Sequence, residues 1–156
     1  MAATGEGLNG SAAMNRVEEA VDCFCRGAAC SQAVLGTYGP LFGLEREQAI
    51  KLASGFAGGM RLGQTCGAVT GAFMVLGLKH AGENCDQRDG RNDVYAAIRE
   101  FAAEFQQRNN SVVCKELLGC DISTPEGMQK ATKEGLFRTI CPRLVQEAAE
   151  ILEAML

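Results

Sequence analysis

Three prolines in 156 residues, with long runs of good helix formers between them, constrain this chain more than any other feature. Proline breaks helices and removes a backbone donor, so its scarcity leaves those runs free to wind. The expected fold class is all-α, a single domain built as a compact bundle of about six or seven helices. Hydrophobic residues make up 47% of the chain, yet aromatics are only 6% and tryptophan is absent. Such a core is built from Ala, Val, Leu, Ile and Met, which suits helices packed at short range.

Charge and hydropathy narrow the function classes. The formal net charge is −4 and the sequence pI about 5.1. No basic cluster interleaves with aromatics, so no nucleic-acid partner is expected. No run of roughly 18 apolar residues occurs, so no membrane span is expected. The first residues lack a basic segment followed by an apolar one, and carry no twin arginine. They read as a flexible tail over residues 1–11, ahead of a helical domain over 12–156, and the expected compartment is cytoplasmic.

Helices are expected over Ala12–Arg26, Ala29–Tyr38, Glu45–Phe56, Thr65–Ala81, Val94–Gln107 and Val112–Leu118. Two more open at Pro125, with Thr124 as cap, and at Cys141-Pro142, running to Leu156. Val94, Ile98, Phe101 and Phe105 recur at helical spacing and mark one buried face. Between the third and fourth helices lies GFAGGMRLGQTCGAVTG, Gly55–Gly71, with six glycines around Cys66.

Eight cysteines stand at positions 23, 25, 30, 66, 85, 114, 120 and 141. In a cytoplasmic helical domain that number points to metal ligation, redox chemistry or both, alongside buried apolar thiols. Cys30, Cys66, Cys114 and Cys141 all fall at predicted helix starts, with Thr65 and Ser111 as the caps before two of them. Unpaired N–H groups and the positive end of the dipole stabilise a thiolate there, so lowered thiol pKa values are expected. Gly58, Gly59 and Gly63 suit a backbone cradle for a bound anion or sulfur, and Arg61 can supply a positive charge. Gly67 and Gly71 read as a smooth face for close helix packing. His80 reads as a partner of a helix C-terminus, and Glu45, Glu47, Glu100 and Glu104 as solvated faces.

ACSQAV around Cys30, LASGFAGGMRLGQTCGAVTGAFMVLGL, CKELLG from Cys114 and the late Cys141 together resemble the C-GCAxxG-C-C family of redox-active proteins. The resemblance runs from about Val17 to the C-terminus. It implies four signature cysteines, which map onto Cys30, Cys66, Cys114 and Cys141, the four selected by helix position. It also implies a carrier of a prosthetic group such as an iron–sulfur cluster, acting with a redox partner protein. A related domain occurs in split-Soret-type cytochromes, but no C-x-x-C-H motif stands here, so no covalent haem is expected.

Three functions follow. The first is a redox protein whose four cysteines hold an iron–sulfur cluster or other metal for electron transfer. The second is a metal-free thiol–disulfide protein, although no C-x-x-C motif is present. The third is a helical scaffold whose cysteines are core residues. A homodimer that completes the site is compatible with each.

Overall fold

A computed structural model describes residues 13–156, so the tail at 1–11 and a helix start at Ala12 lie outside the described residues. Nine α-helices follow in order among the described residues: α1 Arg16–Cys25, α2 Cys30–Tyr38, α3 Arg46–Ala53, α4 Gly67–His80, α5 Asn92–Asn109, α6 Cys114–Leu118, α7 Pro125–Lys133, α8 Leu136–Thr139 and α9 Cys141–Met155. Among the described residues there is no strand, only one isolated bridge between Thr65 and Val113. The all-α expectation holds, while the helix count of six or seven is exceeded. The surplus is short: α6 has five residues and α8 four.

Local chemistry sets the boundaries. Asn15 caps α1 by accepting the Glu18 N–H at 2.9 Å, and the Glu18 carboxylate accepts the Asn15 N–H at 3.2 Å. This reciprocal pair starts the helix later than expected, and Gly27 at φ 116° stops it. Thr124 accepts the Gly127 N–H at 3.0 Å and Pro125 opens α7, as the sequence indicates. The expected cap Thr65 does not cap α4; Cys66 itself holds that position. Ser111 does not cap α6 either, because Val113 does. Instead the Ser111 hydroxyl accepts the Val113 N–H at 2.9 Å and donates to Glu116, which braces the turn leading into Cys114.

Helices α2 and α4 form the centre of the molecule, with α1, α3, α5 and α9 packed around them. Ala33, Val34, Leu35 and Tyr38 of α2 are fully buried, as are Ala68, Val69, Ala72, Val75 and Leu76 of α4. Gly71 permits the close approach, since a Cβ there would lie 2.9 Å from the Ser31 carbonyl oxygen and 3.1 Å from Val34. Phe101 and Phe105 of α5 are buried too, and Phe73 meets Phe101 edge-on with ring centroids 6.0 Å apart. Arg16 grips Glu153 through two bonds of 2.8 and 3.2 Å, and Tyr38 donates to the same carboxylate at 3.0 Å. That triad ties α1, α2 and α9 together.

A second, smaller core lies apart. Cys114, Leu118, Ile122 and Ala131 form it, with Met128, Leu136, Phe137, Ile140, Cys120 and Cys141 packed against them. The space between the two cores becomes the site. No helix is long and apolar enough to cross a membrane among the described residues.

Candidate functional site: a four-thiol cavity

Cys30 is the first residue of α2, Cys66 the cap of α4, Cys114 the first residue of α6 and Cys141 the first of α9. All four line one cavity of about 230 Å³, shared with Phe24, Leu117, Ile122, Phe137 and Leu144. A water molecule fills roughly 30 Å³, so this volume admits a group of several atoms. Cys23, Cys25, Cys85 and Cys120 do not line it. The division of the eight thiols into two sets of four is therefore spatial as well as sequential.

Two backbone devices bring these helix starts together. The Cys66 N–H donates to the Val112 carbonyl at 2.8 Å, and the Cys114 N–H donates to the Gln64 carbonyl at 2.6 Å. This antiparallel clasp fixes the openings of α4 and α6 side by side. The second device is Gly67, where an added Cβ would collide with the Cys30 sulfur and lie 3.1 Å from the Cα of Ala57. Sequence reasoning saw Gly67 only as a packing residue. It also makes the space that Cys30 uses.

The glycine-rich segment is a left-handed turn. Gly58, Gly59, Met60 and Arg61 have φ of 64°, 62°, 57° and 60°, four successive residues in the region L side chains avoid. Two of them carry side chains, and each such residue costs about 1–2 kcal/mol. The turn places Gly58 and Arg61 on the cavity wall, with the Arg61 guanidinium 3.5 Å from where a Cβ on Gly58 would stand. Strain of this kind persists where surrounding structure over-determines it. Gly59 and Gly63 are not in the lining. A Cβ on Gly59 would strike the backbone of Gln64, and one on Gly63 would lie 2.7 Å from the Asp121 carboxylate. Both shape the turn rather than face the cavity.

Burial dominates the electrostatics and overturns the expected lowering of the thiol pKa values. It pushes Cys30 up, opposed by the N–H groups of Gly58, Ser31 and Gly67. It holds Cys66 well above its usual range, with the charge of Cys30 adding and the N–H groups of Ala68 and Val69 opposing. It raises Cys114 to about 11 and Cys141 to about 12, again with Cys30 as the next cause. The helix-start amides do favour a thiolate. Desolvation in an apolar cavity exceeds them, and the four sulfurs repel charge on one another. Among the described residues Arg61 is the only charged one in the lining, and it favours the Cys114 thiolate.

All eight cysteines are free thiols. Among the described residues, no group of three or more His, Cys, Asp or Glu side chains could hold a metal ion. The thiols surround a volume rather than meet at a point. A soft, buried, all-sulfur donor set with a single cation beside it fits an anionic group larger than one ion.

Across residues 28–155 the chain matches the family described as putative redox-active protein, C-GCAxxG-C-C. The chain belongs to this family. Its redox-active, cysteine-rich, all-helical character follows from the match and the fold. No curated protein and no solved structure matches the chain. The four cysteines that line the cavity all lie within the matched residues. His80 ends α4 and lies outside the lining. Phe24, Leu117, Ile122 and Phe137 form apolar wall that sequence reasoning missed, and no local pattern could have marked them.

Proposed function

We propose that this is an electron-transfer domain in which Cys30, Cys66, Cys114 and Cys141 hold an iron–sulfur cluster. The observation that carries the reading is the convergence of four thiols, from four separate helix starts, on one apolar cavity of about 230 Å³. Four thiolates are the usual complement of such a cluster, which supplies reversible one-electron transfer when bound. Each residue then has a task. Gly58, Ser31 and Gly67 direct N–H groups at the Cys30 sulfur and favour its charged form. Arg61 offsets negative charge in the cavity, and Phe24, Leu117, Phe137 and Leu144 keep water from it.

The raised thiol pKa values favour this reading over metal-free thiol–disulfide exchange. Exchange proceeds through a thiolate, and at neutral pH Cys114 and Cys141 are held as thiols by burial. A metal adds positive charge to the single one that Arg61 brings and draws the protons off. A scaffold role gives no reason for all four signature thiols to share one space. A redox partner protein, reached directly or across a homodimer, completes the proposal.

The test is anaerobic purification, reconstitution with iron and sulfide, and assay of iron and acid-labile sulfide beside the visible spectrum. The expected result is a coloured protein carrying both elements. A protein that stays colourless and iron-free after reconstitution contradicts the reading.

A further inference from the structure

The chain between Cys114 and Cys141 closes on itself before it closes on the bundle. Its small core, where Leu118, Ile122 and Ala131 are buried, is separate from the one around α2 and α4. Its polar side chains also bond inward. The Asp121 carboxylate accepts the Ser123 N–H at 3.0 Å and the Ser123 hydroxyl at 2.6 Å, and the Thr139 hydroxyl donates to the Gly135 carbonyl at 3.1 Å. A Cβ on Gly127 would strike the Asp121 carbonyl, so α7 sits tightly on the turn before it. Among the described residues, no side-chain hydrogen bond and no ion pair joins residues 117–139 to any other part of the chain.

Apolar contact and two roots hold this lobe in place. Leu117 packs on the main core and Ile140 on both cores. Ile122 rests on bare backbone, since a Cβ on Gly58 would lie 3.0 Å from Ile122 Cδ1. At the first root the Cys114 N–H is clasped to the Gln64 carbonyl at 2.6 Å. At the second, Ile140 alone separates the end of α8 from the start of α9 at Cys141. The cavity is the gap so enclosed, with Leu117, Leu118, Ile122 and Phe137 on the lobe side and Cys30 and Cys66 on the other. Closed, it leaves Cys66 at 5% and Cys114 at 7% exposure, so a group of several atoms needs a wider way in.

We infer that residues 115–139 are a lid, which swings from the bundle as one unit in the metal-free chain and is locked shut when the cavity is filled. A segment held by a thin apolar seam, with its own polar bonds satisfied internally, opens at a lower free energy than the main core. Opening widens the way to Cys66 and Cys114 without unfolding α2 or α4. The locking half rests on the function proposed above. Cys114 and Cys141 stand at the two roots of the lid, so a group bonded to both, and to Cys30 and Cys66, ties lid to bundle. The opening half does not depend on that group.

Hydrogen–deuterium exchange on the full-length protein, read by peptide mass spectrometry across low urea concentrations, tests both halves. In the metal-free protein the α7 amides should exchange about tenfold or more faster than those of α2 and α4, and share one dependence on urea with α6. L117A thins the seam and should speed exchange over residues 115–139 severalfold, with α2 and α4 unchanged. After reconstitution with iron and sulfide, residues 115–139 should slow severalfold. Exchange of α7 only together with α2 and α4, by global unfolding, overturns the inference. So does a separate, urea-independent rate for each amide of the lobe, which is fraying rather than opening. A protein that takes up iron without slowing residues 115–139 overturns the locking. One that takes up no iron defeats the proposed cluster and the locking with it, while the opening stands on the metal-free result.

Discussion

The Cys30 sulfur occupies the space that a Cβ on Gly67 would need. One residue at the start of α4 thereby decides where a thiol from α2 can stand. G67A is expected to destabilise the metal-free protein by about 2 kcal/mol, the usual cost of overpacking. Urea unfolding measures this. In a C30A background the sulfur is gone, and a coupling of about 1 kcal/mol should appear in the double-mutant cycle. An equal cost in both backgrounds would assign the requirement to the neighbouring backbone of Ala57 and Ser31 instead.

Arg61 stands at φ 60°, where a side chain is strained and glycine is not. R61G is therefore expected to stabilise the metal-free chain, by up to about 1 kcal/mol once the greater entropy of unfolded glycine is subtracted. The same change removes the Arg61 charge from the cavity lining. Iron bound after reconstitution should fall even as the urea midpoint rises. A variant that loses stability would show that Arg61 packing outweighs its backbone strain.

Thiol reactivity separates the two sets of cysteines. With metal absent, iodoacetamide at pH 7.5 should modify the exposed Cys25 and Cys85 first and the cavity thiols last. At a pKa of about 11, Cys114 is thiolate in fewer than about one molecule in a thousand at that pH. Its alkylation should rise about tenfold per pH unit up to pH 9.5, read peptide by peptide. Early labelling of Cys66 or Cys114 would contradict the burial that raises their pKa values.

The sequence places the four cavity cysteines at helix starts because local signals mark those starts: the break at Gly27, the glycine run before Cys66 and Pro142 after Cys141. The structure confirms each position. What the sequence could not weigh is desolvation, which depends on Phe24, Phe137 and Leu144 arriving from remote segments. Hence the direction of the thiol pKa shifts was misread, since only the helix-end contribution was local. The caps failed for a related reason. Thr65 is drawn into the bridge with Val113, and Ser111 is taken by Glu116. Helix α8 escaped notice because four residues carry too little periodicity to register.

Glu153 predicts how stability changes with acid. Bonding to Arg16 holds its carboxyl below the usual value of 4.5, with Tyr38 adding to the effect. A carboxylate depressed in the folded state stabilises above its unfolded pKa, and that contribution is lost as pH falls through the folded value. E153Q should cost about 1 kcal/mol at pH 7, because both partners are partly exposed to solvent. The difference between wild type and variant should shrink below pH 4.5, followed by urea unfolding at a series of pH values. A constant difference down to pH 3 would assign the loss to packing.

The central claim is that four thiols, and only those four, jointly hold one iron–sulfur group. Iron per chain after anaerobic reconstitution, measured across all eight single Cys→Ser variants with matched circular dichroism, tests it most directly. Iron should fall severalfold or vanish in C30S, C66S, C114S and C141S and stay at the wild-type level in C23S, C25S, C85S and C120S. Equal retention across all eight folded variants would contradict the account.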